Sequence, residues 1–193
     1  MNRLYYSQQI GQHCSCSSGK HRLYRCKECL FNAPWCEDCI IQRHTYEPLH
    51  VIQKWTGESF IDIHLFDLGM VVQLGHGGGA CPCVGKTEKG SKLRVTDING
   101  LQDMQVVYCS CIGRKAHAMQ LMESGIFPSS MRQPKSATTF RCLQDFHLAT
   151  LVSKKSAFDY VRALCQKTSE LPFDGPAVSS LGNDGISRLT SYL

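Results

Sequence analysis

The chain has 193 residues, of which 42% are hydrophobic and 19% charged, with a formal charge of +5 and twelve cysteines. That composition excludes a disordered chain and suits one ordinary domain or two small units, one of them with a poor core of its own. No apolar run approaches the length a bilayer needs, and the opening MNRLYYSQQIGQHCSC lacks the apolar stretch of a secretory signal, so we expect an intracellular protein.

In a reducing compartment a dense cysteine pattern means metal ligands more often than disulfides. Ten of the cysteines form close pairs: Cys14 with Cys16, Cys26 with Cys29, Cys36 with Cys39, Cys81 with Cys83, and Cys109 with Cys111. Zinc takes four ligands in a tetrahedron, commonly as two chelating pairs on tight turns, and C-x2-C is the most specific of the spacings here. With His44 and His50, the first three pairs supply eight ligands, enough for two complete sites. Spacing leaves two ways of combining them. In the sequential arrangement Cys14, Cys16, Cys26 and Cys29 hold one ion and Cys36, Cys39, His44 and His50 the other. In the interleaved one Cys14, Cys16, Cys36 and Cys39 form site 1, and Cys26, Cys29, His44 and His50 form site 2. The interleaved cross-brace is the expectation, because it ties both ions into one unit across a segment too short for a hydrophobic core. The ligand order resembles that of ZZ and B-box zinc fingers, and RING domains fit it less well. Trp35, Leu30 and Phe31 are expected to cover the sites as a miniature core, and His13 and His21 to be exposed loop histidines.

Further along, residues 58–74 fit a helix up to Leu68, stopped by Gly69 and followed by a short strand. LRVTDINGLQDMQVVY, residues 93–108, places β-branched and apolar residues on both sides of Asn99-Gly100, a strong hairpin signal. Cys109-Ser-Cys111 follows the outgoing strand and Cys81-Pro-Cys83 precedes the incoming one. On extended chain both sulfurs of a C-x-C pair point to one face, so Cys81, Cys83, Cys109 and Cys111 are read as site 3, with His76 as the substitute ligand. Gly85-Lys86-Thr87 imitates the end of a phosphate-binding loop, but the first glycine of that motif is replaced by Ala80. The GHGGG run reads as slack that lets Cys81 and Cys83 reach a metal.

Short helices are expected at 116–123, 138–151 and 154–168, the last two burying Phe140, Leu143, Phe146 and His147, and Phe158, Val161, Leu164 and Cys165. The lone cysteines Cys142 and Cys165 then belong to the core. The reading is a small α+β protein: a cross-brace zinc module (1–55), a zinc-pinned hairpin followed by helices (56–168), and a loosely held tail (169–193). Two four-thiolate sites would bring the formal +5 down to +1, so basicity is weak support for nucleic acid. Lys20, Arg22 and Arg25 form one basic strip, and Lys86, Lys89, Lys92 and Arg94 another.

Read together, YRCKECLFNAPWCEDCIIQRHTYEPLHVIQKWTGESF, DLGMVVQLGHGGGACPC, VTDINGLQDMQVVYCSC and QLMESGIFPSSMRQPKSATTFRCLQDFHLATLVSKKSAFDYVRAL resemble the CxC2-like cysteine cluster domain associated with KDZ (Kyakuja, Dileera and Zisupton) transposases. The blocks follow the family's order from about Cys14 to about Thr168, and the segment after Thr168 departs from it. In that family the cluster precedes a separate RNase H-like catalytic region. The resemblance therefore implies an accessory domain without the enzyme; with the spacing and composition above, the expectation is three zinc ions, no catalytic residues, no small-molecule substrate, no membrane, DNA or a protein as partner, and an intracellular, nuclear location. The competing expectation is a ubiquitin-pathway ligase component, suggested by the RING- and B-box-like ligand order.

Overall fold

The computed structural model describes residues 8–85 and 90–168, arranged in two compact units that divide between Val72 and Gln73. The expected tail, 169–193, and Lys86 and Lys89 of the second basic strip lie outside the described residues.

The first unit is a three-stranded antiparallel sheet with one helix. Strand β1 (Tyr24–Cys26) pairs with β2 (Ile52–Trp55), and β2 with β3 (Phe60–Ile63). Helix α1 (Glu37–Arg43) begins at Cys36 and carries Glu37 and Asp38 in its first turn and Arg43 in its last, charges placed to favour the helix dipole. Its Ile40 joins Tyr24, Cys26, Ile52, Leu65 and Met70 in a small core. The helix expected up to Leu68 is not there. Phe60-Ile-Asp-Ile alternates at the period of a strand, and the open edge of β2 pairs with it, so strand pairing wins over the helical spacing. Only Leu65–Leu68 turns, as a 3-10 helix, and Gly69 stops it at φ +78, the left-handed conformation glycine adopts without a Cβ penalty. Residues 56–72 thus pack with the first unit, beyond the boundary expected at residue 55.

The second sheet has the order β4-β6-β5-β8-β7, with β4 (Val71–Gln73), in which the division falls, at its edge. Strands β5 (Ser91–Asp97) and β6 (Gly100–Val107) form the expected hairpin, in register from Ser91–Val106 to Asp97–Gly100. Helix α2 (His117–Glu123) and β7 (Ile126–Pro128) lead to β8 (Ser136–Thr139), which lies parallel to β5. Helices α3 (Phe140–Ser153) and α4 (Ala157–Thr168) follow, later in start than the expected 138 and 154: residues 136–139 are taken into the sheet before α3, and the chain turns at Lys154, the left-handed cap of α3, before α4. Of the expected buried faces, Phe146, Val161, Leu164 and Cys165 are buried and others are not. Cys142, Phe146, Ala157, Tyr160 and Leu164 form the helical core with Leu101, whereas Phe140, His147 and Phe158 are exposed. Thr139 caps α3, its Oγ1 accepting Cys142 N–H at 3.2 Å while donating to Asp97 at 2.5 Å. Asp97 is fully buried. Burial opposes its charge, but Arg141, Thr139 and the Ile98 N–H outweigh that and hold the carboxyl below its usual range.

Candidate metal centres

The first donor set joins a loop to a helix start. Residues 11–22 form a narrow loop closed by Gly11 N–H to Arg22 O and Cys14 N–H to Lys20 O at 3.0 and 2.9 Å. His13 and His21, both exposed as expected, face each other across its neck and bind Gly19 O and Gly11 O through Nδ1. The loop presents Cys14 and Cys16; α1 presents Cys36 at its cap and Cys39 in its first turn. The sulfurs of Cys14 and Cys39 are 3.8 Å apart and those of Cys16 and Cys36 are 3.5 Å apart. A zinc ion with Zn–S bonds of about 2.3 Å sets the edge of its sulfur tetrahedron at about 3.8 Å, so these separations fit. The Ser18 hydroxyl, 3.0 Å from Cys16 Sγ, and the Ser18 N–H lower the Cys16 thiol to about 6, favouring the thiolate a metal takes.

The second set surrounds the end of β1. Glu28 and Cys29 donate their N–H groups to Cys26 Sγ at 3.4 and 3.3 Å, shaping a turn that aims Cys26 and Cys29 at one point. His44, at the end of α1, places Nε2 3.4 Å from Cys29 Sγ, and its Nδ1 lies 2.8 Å from Ile40 O. That carbonyl can only accept, which assigns the proton to Nδ1 and leaves the Nε2 lone pair for a metal. His50 turns Nδ1 toward Cys26 and Cys29, at 3.5 and 3.7 Å, while its Nε2 faces Glu47 at 3.5 Å. Tetrahedral S–N edges of about 3.6 Å follow from ordinary zinc bond lengths. The two sets alternate along the chain: the first and third cysteine pairs meet in one, and the second pair meets the two histidines in the other.

The third set gathers at the open end of the hairpin. Cys81 Sγ lies 3.8 Å from Cys109 Sγ and 3.6 Å from Cys111 Sγ, and His76 Nε2 lies 3.3 and 3.5 Å from the same two sulfurs. Of the four cysteines expected in site 3, Cys83 is the one placed apart. It is exposed and falls outside the four donors that lie within 4.8 Å of one another, and His76 stands in its place. The physical reason is the glycine run. Gly75 at φ +87 passes so close to the hairpin end that a Cβ would meet Cys109 Cβ at 3.0 Å, and His76, Gly77 and Gly78 all have positive φ. The run is a tight left-handed turn that carries an imidazole inward, where slack had been expected. The Cys83 thiol nonetheless lies against Cys111 and is the main reason the Cys111 thiol is raised. Cys81, helped first by the Ser110 N–H, is lowered to about 6.

Gln120 completes this site and had no signal in the sequence. Buried on α2, it accepts Cys109 N–H at 2.8 Å through Oε1 and donates through Nε2 to Cys109 O at 3.2 Å and Lys115 O at 2.8 Å. The loop that bears Cys109 and Cys111 is thereby fixed to a helix. Cys142 and Cys165 are buried outside all three sets, as expected, and burial raises the Cys142 thiol to about 12.

Other expected features sit differently. Leu30 is 90% exposed and Phe31 66%, so they do not cover the sites; Trp35 alone is partly buried against the core. The basic strips are largely engaged. Lys92 and Arg94 both pair with Asp103, at 2.8 and 3.0 Å, and Lys20 pairs with Asp38 at 2.8 Å. Arg25 lies over the Phe60 ring with its Nε on Gln53, and Arg22 donates to Gln9.

Three groups of cysteine and histidine that could each hold a metal ion, on a small α+β scaffold, define a cysteine-cluster protein. Residues 65–171, more than half of the chain, match the family described as CxC2 like cysteine cluster associated with KDZ transposases, and the chain belongs to that family. The match begins at Leu65, so the third donor set lies within it and the first two precede it. No curated protein and no solved structure matches the chain. Among the described residues, no helix is long and apolar enough to cross a membrane.

Proposed function

We propose that the chain is a zinc-stabilised recognition module of the KDZ transposase-associated type, with no chemistry of its own, that binds a macromolecular partner. The observation that carries this reading is the donor geometry. In each set four protein donor atoms lie within 4.8 Å of one another, with the separations given above close to the edges of a zinc tetrahedron, and a closed tetrahedron leaves no position for water or substrate. Cys14, Cys16, Cys36 and Cys39 would hold one ion, Cys26, Cys29, His44 and His50 a second in a ZZ- or B-box-like cross-brace, and His76, Cys81, Cys109 and Cys111 a third. Bound zinc supplies folding energy to a unit whose core is small.

Between the two partner classes, a protein is favoured over DNA. Duplex DNA is held by several unpaired cations that release counterions, yet Lys20, Lys92 and Arg94 already meet carboxylates, and Arg22 and Arg25 donate to glutamine side chains. Native mass spectrometry tests the module, with three zinc ions per chain expected; a compact metal-free chain overturns it. A ubiquitin-discharge assay tests the competing ligase reading, and discharge that depends on Cys26 overturns ours. Binding to a DNA duplex that weakens steeply with salt would move the partner to nucleic acid.

A further inference from the structure

Beside the second donor set, the turn after β1 and helix α1 enclose an open groove of about 360 Å³, lined mainly by Cys29, Leu30, Phe31, Ala33, Trp35 and Arg43. Two observations set this groove apart from an ordinary surface dip. First, Leu30 and Phe31 stand out in water on a turn fixed at both ends, by Cys29 in the donor set and by Trp35, whose N–H donates to Tyr24 O at 2.7 Å. Adjacent exposed apolar side chains at a concave site mark recognition surfaces. Second, Arg43 lies flat on the Trp35 ring, 3.6 Å from its centroid, and meets no carboxylate among the described residues. Stacking uses the face of a guanidinium and leaves its N–H edge free.

The charge of the groove follows from these residues. Two thiolates and two neutral histidines cancel a divalent ion, so the second metal set contributes nothing, and no acidic residue lines the groove. The nearby acids are engaged elsewhere: Glu28 accepts the Val51 N–H and faces His50, Glu37 and Asp38 face Lys20, Glu37 also accepts from Tyr24, and Glu47 faces His50. The groove is an apolar floor with one planar cation at its rim that meets no carboxylate among the described residues.

We infer that this groove binds an acidic peptide segment, inserting one aliphatic or aromatic side chain between Phe31 and Trp35 while an adjacent carboxylate meets the edge of Arg43. A carboxylate matches the guanidinium fork in shape and charge, which a single phosphate among unfilled apolar walls would not exploit as well. The inference rests on the zinc-module reading, because the turn that displays Leu30 and Phe31 is held by Cys26 and Cys29.

The experiment uses the full zinc-loaded chain and synthetic twelve-residue peptides carrying a central Leu, Phe or Trp flanked by Asp and Glu, by Lys and Arg, or by Ser and Gly. Affinity is read by fluorescence anisotropy, and the site by the two indole N–H signals of Trp35 and Trp55. The expected result is that acid-flanked peptides bind at least about tenfold more tightly than basic-flanked ones, a step of about 1.4 kcal/mol. They should shift the Trp35 signal and not that of Trp55. Arg43→Glu should invert the charge preference, and Phe31→Ser should weaken every peptide, each with the zinc count unchanged. A chain that keeps three zinc ions but binds no peptide, or binds all three classes alike, overturns this inference and leaves the module standing. A chain without the first two ions overturns the module itself. Displacement of the peptide by a DNA duplex whose own binding is lost in Arg43→Glu would give the groove to nucleic acid and overturn the peptide reading.

Discussion

Site 3 offers five donors where a tetrahedron takes four, and the paired variants His76→Ala and Cys83→Ser decide which one is spare. His76 Nε2 sits 3.3 and 3.5 Å from the sulfurs of Cys109 and Cys111, close to a zinc S–N edge, whereas Cys83 lies on an exposed turn outside the set. Structural zinc is bound with roughly 10–16 kcal/mol shared among four ligands, so removing one costs about 3 kcal/mol, or about two orders of magnitude in affinity. Because Cys83 lies against Cys111, it can swing in when His76 is lost and return part of that cost. We therefore expect His76→Ala to weaken the third ion about 30- to 100-fold, Cys83→Ser to leave it within about threefold, and the double variant to lose it. Competition with a chromophoric zinc chelator, with the ions counted by native mass spectrometry, reads all three. The reasoning fails if Cys83→Ser releases zinc as readily as His76→Ala.

Four further outcomes are expected. Cys26→Ser should lose the second ion and shift tryptophan emission to the red, since both tryptophans lie in the first unit. Cys142→Ala, in the helical core, should cost about 1–2 kcal/mol in denaturant unfolding and leave the zinc count unchanged. Gln120→Leu strands the Cys109 N–H and two carbonyls; chelator competition should show the third ion weakened about 10- to 100-fold, the range for losing an outer hydrogen-bonding partner. Asp97→Ala leaves the Thr139 cap and Arg141 without their shared acceptor. Breaking a buried pair costs about 3–5 kcal/mol, reduced here to about 2–3 because Arg141 can turn into water, so exchange of the slowest β5 amides should speed up about 100-fold.

Cysteine spacing made the candidate sites legible in the sequence. A C-x2-C turn folds locally, so Cys26 with Cys29 and Cys36 with Cys39 could be read without knowing the rest of the chain. The hairpin was legible for the same reason, since Asn99-Gly100 and its flanking strands are a local pattern. The placing of His76 inside the third set and Cys83 outside it depends on the left-handed path of residues 75–78, which glycine permits and spacing does not reveal. The segment 60–63 was misread because its pairing partner, β2, lies outside any helical window. Gln120 carried no signal at all: only tertiary structure brings a buried amide on α2 to the backbone of Cys109.

Leu30 and Phe31 were misplaced for a reason that bears on function. A segment without metal must bury its apolar side chains to hold a shape, and on that logic they belong inside. In the first unit the shape has a second source. Cys26 is at once a member of the small core and of the second donor set, so packing and coordination share one anchor at the root of the turn. Once the turn is fixed through sulfur, its apolar residues are not needed for its own stability and can be presented outward beside the stacked Arg43 and Trp35. In the proposed module, coordination would free hydrophobic surface for recognition, and the same turn should lose both its shape and its groove when the ion leaves.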